Sequence, residues 1–157
     1  MRVYYKYSSL LIILFSGYLL FAPASESFDN FLYPKYFEHI RPSMATLAEN
    51  WREGDALFVS NGAVPAFRFY ADRYGLGSLT FQSSDLSDYL EPTKILSNLK
   101  SLEGKKRVWV LITHVYENKE FNEKDYLLNH LDMIGDKKRE FRSPGTSVYL
   151  LLYDLSP

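Results

Sequence analysis

The segment Ile40–Gly75 constrains the fold more than any other part of the chain, because it combines two helix patterns with one buried-strand pattern. Apolar residues recur at helical spacing over Ile40–Trp51, which predicts a helix with one face against a core. The continuous apolar run Ala56–Val59 is typical of a strand that is covered on both faces. Pro65 can open the second helix, which we expect to end where the segment ends. This helix–strand–helix unit predicts an α/β fold.

Helix and strand patterns continue to alternate after this segment. They predict, in chain order, a strand over Ser78–Gln82, a helix from about Pro92 to Gly104, a strand over Arg107–Ile112, a helix from Asn122 to Gly135 and a β-hairpin over Lys138–Tyr153. Strands separated by helices favour parallel pairing with right-handed crossovers. The hairpin adds an antiparallel strand at or near one edge. The predicted fold class is therefore α/β: a three-layer, mostly parallel, Rossmann-like sheet with a C-terminal antiparallel hairpin, preceded by one N-terminal transmembrane helix.

The chain begins with an apolar segment that is long enough to cross a bilayer. Ser8–Ala22 carries no charge, and the apolar run extends back to Val3 with Lys6 as its only interruption; about 20 residues span a bilayer core. Arg2 and Lys6 precede the uncharged segment Ser8–Ala22, so the positive-inside rule places the N-terminus in the cytoplasm and the rest of the chain outside. The alternative is a cleaved signal peptide, because Ala22–Ala24 has the small-x-small form of a cleavage site.

Three regions are therefore predicted. Residues 1–24 form a transmembrane helix or an uncleaved signal anchor, residues 25–39 form a linker with aromatic anchors, and residues 40–157 form an extracytoplasmic α/β domain. The predicted location is the cell membrane, with a single pass, a cytoplasmic N-terminus and an extracytoplasmic domain. The lipid bilayer is the first expected partner. We also expect Trp51 and Trp109 to be largely buried.

Charge and residue usage exclude several classes of function. The 157 residues include 18 basic and 19 acidic side chains, a balance that gives no reason to expect a nucleic-acid partner. There is no cysteine, so disulfides and thiolate chemistry are excluded. The three histidines have no metal-binding spacing, and the sequence has no dinucleotide-binding fingerprint, P-loop or serine-hydrolase elbow. No metal, cofactor or catalytic residue is predicted.

A ligand site is predicted where the first and third strands of the domain end. Ligands of open α/β sheets bind outside the carboxyl ends of the strands. Asn61 and Gly62 follow the first of these strands, and Thr113 and His114 follow the third. Arg68, on the next helix, is a candidate contact for an anion. The alternatives are a loop histidine that bonds only to backbone and an arginine in a structural ion pair.

Four sequence patterns carry a resemblance to a known family. They are I-R-P-x8-W-x2-G-D from Ile40, N-G-A-x-P-A-F-R-F-Y-A from Asn61, R-V-W-V-L-x2-H-V from Arg107 and F-R-S-P-G-x-S-V-Y-L from Phe141. Over about residues 36–155 the chain resembles the C-terminal extracytoplasmic domain of bacterial multi-spanning C-type glycosyltransferases. These enzymes are similar to the protein mannosyltransferases of glycosyltransferase family 39 and use polyprenyl-phosphate sugars.

The resemblance implies an accessory role rather than catalysis. The catalytic acidic residue of that family lies in the first external loop of a much longer chain, so no catalytic residue carries over. The chain is then a detached C-terminal part of such an enzyme, and its implied partners are a multi-spanning glycosyltransferase subunit and a sugar or glycan. The alternative is an independent membrane-anchored or secreted α/β module that binds a small ligand. A free-standing enzyme that uses His114 is the third interpretation.

Overall fold

The structure is a computed structural model that describes residues 2–32, 38–84, 97–119, 121–142 and 146–157. The chain divides into two compact units, residues 1–36 and 37–157. The first unit contains one helix, α1, which spans Arg2–Leu32. Its portion Leu10–Leu32, of 23 residues, is long and apolar enough to cross a membrane. The apolar helix predicted at the N-terminus is thus present.

Helix α1 extends further than the sequence patterns indicated. It passes through Pro23 and continues over residues 25–32, which were predicted to belong to the linker. The Ser25 hydroxyl donates a hydrogen bond to the Ala22 carbonyl at 2.8 Å, so the polar side chain that follows the apolar run is satisfied within the helix. The rest of the predicted linker, residues 33–37, lies outside the described residues.

The second unit is a mixed α/β domain. Its helices are α2 (Arg41–Asn50), α3 (Val64–Ala71) and α4 (Glu123–Ile134). Its strands are β1 (Ala56–Val59), β2 (Gln82–Ser83), β3 (Val108–Ile112), β4 (Asp136–Arg142) and β5 (Tyr149–Asp154). Residues 97–100 are also helical, and the start of the helix predicted from Pro92 lies outside the described residues. The predicted order of helices and strands is confirmed for the part of the domain that the structure describes.

The five strands form one sheet in the order β2-β1-β3-β5-β4. Strand β1 pairs in parallel with β2 and β3, whereas β5 pairs antiparallel with both β3 and β4. Strand β5 therefore runs against the other four strands and lies next to the edge strand β4. The predicted hairpin is confirmed by this pairing, although its turn at residues 143–145 is outside the described residues.

Strand β2 is shorter than the predicted strand Ser78–Gln82 and begins only at Gln82. The residues before it form turns instead, because the Leu76 N–H bonds to the Ala71 carbonyl at 2.9 Å and the Leu79 N–H bonds to the Leu76 carbonyl at 3.1 Å. Only Gln82 of the predicted strand belongs to β2: Gly77 and Ser78 form a turn, and residues 79–81 have no regular secondary structure.

The core lies on both faces of the sheet, because alternate side chains of β3 point in opposite directions. Trp109 and Leu111 belong to a cluster that includes buried residues of α2 and α3. Val110 belongs to a second cluster that includes buried residues of α4 together with Leu99 and Leu102. Trp109 is fully buried, as expected. Trp51, at the end of α2, is only half-buried.

Candidate functional site

Buried hydroxyl groups fix the carboxyl ends of the three parallel strands. Ser60, Ser84 and Thr113 follow β1, β2 and β3, and each is almost fully buried. The Ser60 hydroxyl donates to the Thr113 carbonyl at 3.4 Å and accepts from the Thr113 N–H at 3.3 Å. The Asn61 N–H donates to the Ser84 hydroxyl at 3.2 Å. These bonds hold the loops that follow β1 and β3 side by side.

Gly62 is required by the closeness of these two loops. A β-carbon placed on Gly62 would lie 2.7 Å from the carbonyl oxygens of both Thr113 and His114, a distance that real side chains do not tolerate. Two of the three contacting atoms are backbone atoms, which cannot rotate away. Glycine at position 62 is therefore what allows the two loops to approach this closely.

His114 has the left-handed backbone conformation, with a φ of 50°. It is the only residue other than glycine with a positive φ among the described residues. Such a conformation is unfavourable for most side chains and clusters at functional sites. The imidazole projects from the end of β3, is 53% exposed, and has its Nδ1 atom 3.2 Å from the Thr113 hydroxyl.

Glu38 completes this site. Its carboxylate pairs with Nε2 of His114, and the Glu38 side chain is 32% exposed. The carboxylate fixes the ring orientation, since it accepts a hydrogen bond from one nitrogen while the other faces the Thr113 hydroxyl. Sequence reasoning missed Glu38 because it lies in the predicted linker, far from His114 in the chain, with no local pattern to join them.

Asn61 is half-buried and offers its side-chain amide to a ligand. Its backbone N–H bonds to Ser84, but its side-chain amide makes no hydrogen bond within the part of the chain that the structure describes. The start of α3 offers less to an anion than expected. The N–H groups of Ala63 and Val64 already bond to the Ser60 and Asn61 carbonyls, and the proline that follows has no N–H. The loops therefore suit a neutral polar ligand better than an anion.

Arg68 does not join the other predicted residues. It lies on the exposed side of α3, and its guanidinium carbon is 5.9 Å from the centre of the Phe81 ring. The described contact of Arg68 is therefore a cation–π contact near β2 rather than a contact with the strand-end loops. The structure brings together Asn61, Gly62, Thr113 and His114, and we call these four residues with Glu38 the strand-end site.

A second polar network, which sequence reasoning also missed, lies at the opposite ends of β1 and β3. The Asp55 carboxylate accepts hydrogen bonds from Arg107 Nε at 2.7 Å and from the Trp109 indole N–H at 2.8 Å. Its side chain is only 2% exposed. A sequence signal exists: Asp55 and Arg107 each stand directly before a strand, and those two strands pair in parallel and in register.

The strand-end site can bind and orient a polar ligand through an amide, a carboxylate–imidazole pair and exposed ring edges. The Ser60 hydroxyl is held by backbone bonds, and the Thr113 hydroxyl, which lies beside His114, belongs to a residue that is only 1% exposed. No group of residues suited to a metal ion occurs in the described part of the chain. The pKa of Tyr153 is raised well above its usual range by burial and by its hydrogen bond to Asp132, but Tyr153 belongs to β5 and is not part of this site.

In comparisons with known proteins, no family model, no curated protein and no solved structure matches this chain.

Proposed function

We propose that this chain is a membrane-anchored, non-catalytic accessory domain of a lipid-linked-sugar glycosyltransferase system, with the strand-end site as its contact to a sugar or glycan. The observation that carries the proposal is the strained His114, held by Glu38 beside the open amide of Asn61. Hydroxyl-rich ligands are recognised by amide, carboxylate and imidazole groups of this kind. The link to glycosyl transfer rests on the sequence resemblance.

The finer features of the fold belong to the same proposal. Helical residues pack on both faces of the sheet, which supports a three-layer, Rossmann-like interpretation. The position of the strand-end site between β1 and β3 also supports it. Ligands of such folds bind at the carboxyl ends of two neighbouring strands whose following connections run in opposite directions along the sheet. The order of the strands differs from that of the dinucleotide-binding domains, and no dinucleotide is proposed.

Helix α1 supports anchoring in the cell membrane. Arg2 and Lys6 lie at its start, so the positive-inside rule favours a cytoplasmic N-terminus and an extracytoplasmic domain. A multi-spanning glycosyltransferase subunit is the partner implied by the resemblance. This arrangement assigns the lipid carrier and the chemical step to that partner, because a single helix cannot enclose a lipid phosphate.

The way the strand-end site is built supports a non-catalytic role. Ser60 and Thr113 are almost fully buried, and the Ser60 hydroxyl is bonded to backbone on both sides. His114 has Glu38 on one nitrogen and the Thr113 hydroxyl near the other, but Thr113 is only 1% exposed, so its hydroxyl is not accessible to a substrate as a nucleophile. The purified chain is therefore expected to bind but not to transfer sugar.

The test uses the full chain in lipid nanodiscs with a polyprenyl-phosphate-mannose donor. We expect saturable binding by calorimetry and no transfer to an acceptor peptide. His114→Ala should weaken binding about tenfold, because it removes a charge-assisted hydrogen-bonding group. Arg68→Ala is the matched control and should leave binding unchanged. Sugar transfer that His114→Ala abolishes would refute the accessory role.

An independent small-ligand module is the second candidate, and the open Asn61 amide favours it equally. The two candidates differ in what the strand-end site recognises. An independent module should bind free monosaccharides or similar polar molecules as tightly as the lipid-linked donor. Preference for the lipid-linked sugar, or binding only together with a multi-spanning subunit, supports the accessory role instead.

A further inference from the structure

A basic cavity lies at the ends of the strands opposite to the strand-end site. It has a volume of about 340 Å³ and is floored by Trp109 and Leu152 of adjacent strands. Five basic residues and one acidic residue line it: Arg52, Lys106, Arg107, Lys138, Arg139 and Asp154. This concentration of positive charge contrasts with the net charge of −1 of the whole chain.

A β-bulge directs two consecutive basic side chains into this cavity. The pairing of β4 with β5 shifts between Lys137 and Arg139, so that Lys138 is the extra residue. Neighbouring residues of a regular strand point to opposite faces, and a bulge changes this alternation. Lys138 and Arg139 therefore both line the cavity, while Lys137 pairs with Tyr153 of the second core cluster. Bulges of this kind often re-aim side chains next to binding sites.

Arg107 is held rigidly at the wall of the cavity. Its Nε and Nη2 atoms donate to the Asp55 carboxylate at 2.7 and 3.2 Å, and Nη2 also donates to the Asn50 carbonyl at 3.0 Å. These bonds use one edge of the guanidinium. Nη1 makes no hydrogen bond in the part of the chain that the structure describes, which leaves it as a pre-positioned donor.

The positive charge of the cavity is only partly balanced. Arg107 is paired with Asp55, and Lys138 lies 3.2 Å from Asp136 and 3.7 Å from Asp154, which also interacts with Lys106. Arg52, Lys106 and Arg139 form no salt bridge with any described residue. Cations gathered in a concave site repel one another unless an anion joins them.

We propose that the basic cavity binds the phosphate group of a small phosphorylated molecule. Arginine and lysine donors around a concave floor match the several acceptor oxygens of a phosphate. The volume is at the lower end of the range for small-molecule sites. The phosphate belongs either to a soluble compound or to a lipid headgroup. The cavity is separate from the strand-end site, so this proposal does not depend on the function proposed above.

The test titrates pyrophosphate into the full chain by calorimetry, in nanodiscs of phosphatidylcholine and in nanodiscs that also contain phosphatidic acid. Saturable binding in neutral nanodiscs identifies a soluble phosphate compound. If phosphatidic acid suppresses pyrophosphate binding in the wild type, and Arg139→Ala removes that suppression, a lipid phosphate occupies the cavity. Either result supports the proposal.

Variants decide whether the binding is local. Arg139→Ala and, separately, Lys106→Ala should each weaken phosphate binding about tenfold, and neither side chain forms a salt bridge with a described residue. Lys137→Ala is the control, because it removes the same charge from the same strand on the opposite face. The proposal is overturned by equal weakening in all three variants, or by no saturable phosphate binding in either kind of nanodisc.

Discussion

Strands β1 and β3 carry polar groups at both ends, but the two ends differ in how far those groups are already satisfied. Before the strands, the Asp55 carboxylate is 2% exposed and is bonded to Arg107 and to the Trp109 indole. After the strands, His114 is 53% exposed in a left-handed conformation. A buried carboxylate whose hydrogen bonds are satisfied stabilises the fold. An exposed and strained residue costs stability and is retained where a ligand needs it.

The largest effect should come from the stabilising end. Trp109→Ala removes a fully buried ring that packs in the core and whose N–H bonds to Asp55. We expect a loss of about 3–5 kcal/mol in the free energy of unfolding. The measurement is urea unfolding of the full chain in detergent, followed by circular dichroism. Trp51→Ala, at a half-buried position, is the control and should cost clearly less.

A smaller effect is expected at the other end from Gly62→Ala. The added methyl group meets the Thr113 and His114 carbonyl oxygens at 2.7 Å, so the two loops must separate. Overpacking of this kind costs about 1–3 kcal/mol. We expect the same variant to weaken ligand binding, because the separation displaces His114. Unchanged stability and unchanged binding together would show that the loops are not held as closely as the structure indicates.

The smallest effect concerns Asp154 and its pH dependence. Hydrogen bonds from the Ser156 side chain and backbone hold the pKa of Asp154 below its usual value, and the hydroxyl lies 2.6 Å from the carboxylate. A lowered folded-state pKa adds stability above the ordinary carboxyl pKa, and this stability is lost as the pH falls through the lowered pKa. Ser156→Ala should raise the pKa of Asp154 and reduce the loss of stability that this group causes at low pH.

Carboxyl chemical shifts in an NMR titration give the pKa of Asp154 directly. Ser101→Ala is a suitable control, because its exposed hydroxyl bonds only to the Asn98 carbonyl near the same end of the domain. An Asp154 pKa that does not move in Ser156→Ala would assign the lowered value to the backbone N–H of residue 156 and to the lysines beside Asp154 rather than to the Ser156 hydroxyl.

The sequence predicts one end of the strands much better than the other. Local patterns sufficed for the order of helices and strands, and for the start of α4 at Asn122, whose side chain accepts a hydrogen bond from the Asp125 N–H at 3.1 Å. They also sufficed for the loops of the strand-end site, because those loops are defined by where apolar runs stop.

The other features depend on contacts between distant parts of the chain. Glu38 reaches His114 only because the fold brings the residues before α2 to the end of β3. The bulge at Lys138 depends on pairing with β5, which no local pattern of β4 reveals. Asp55 and Arg107 were within reach of sequence reasoning, since opposite charges that precede neighbouring parallel strands become adjacent. Arg68 shows the opposite failure: a suitable charge near a predicted site lies against an aromatic ring instead.

The contrast between the two strand ends is tested most directly by equilibrium unfolding of Asp55→Ala and His114→Gly, measured on the full chain under identical conditions. Asp55→Ala leaves the partly buried Arg107 and the Trp109 N–H without their acceptor, and should lower the free energy of unfolding by about 3 kcal/mol. His114→Gly removes the surface contact with Glu38 but relieves the left-handed conformation, so the free energy of unfolding should change by less than about 1 kcal/mol. A His114→Gly variant that loses as much stability as Asp55→Ala would contradict the account, because His114 would then be a structural residue.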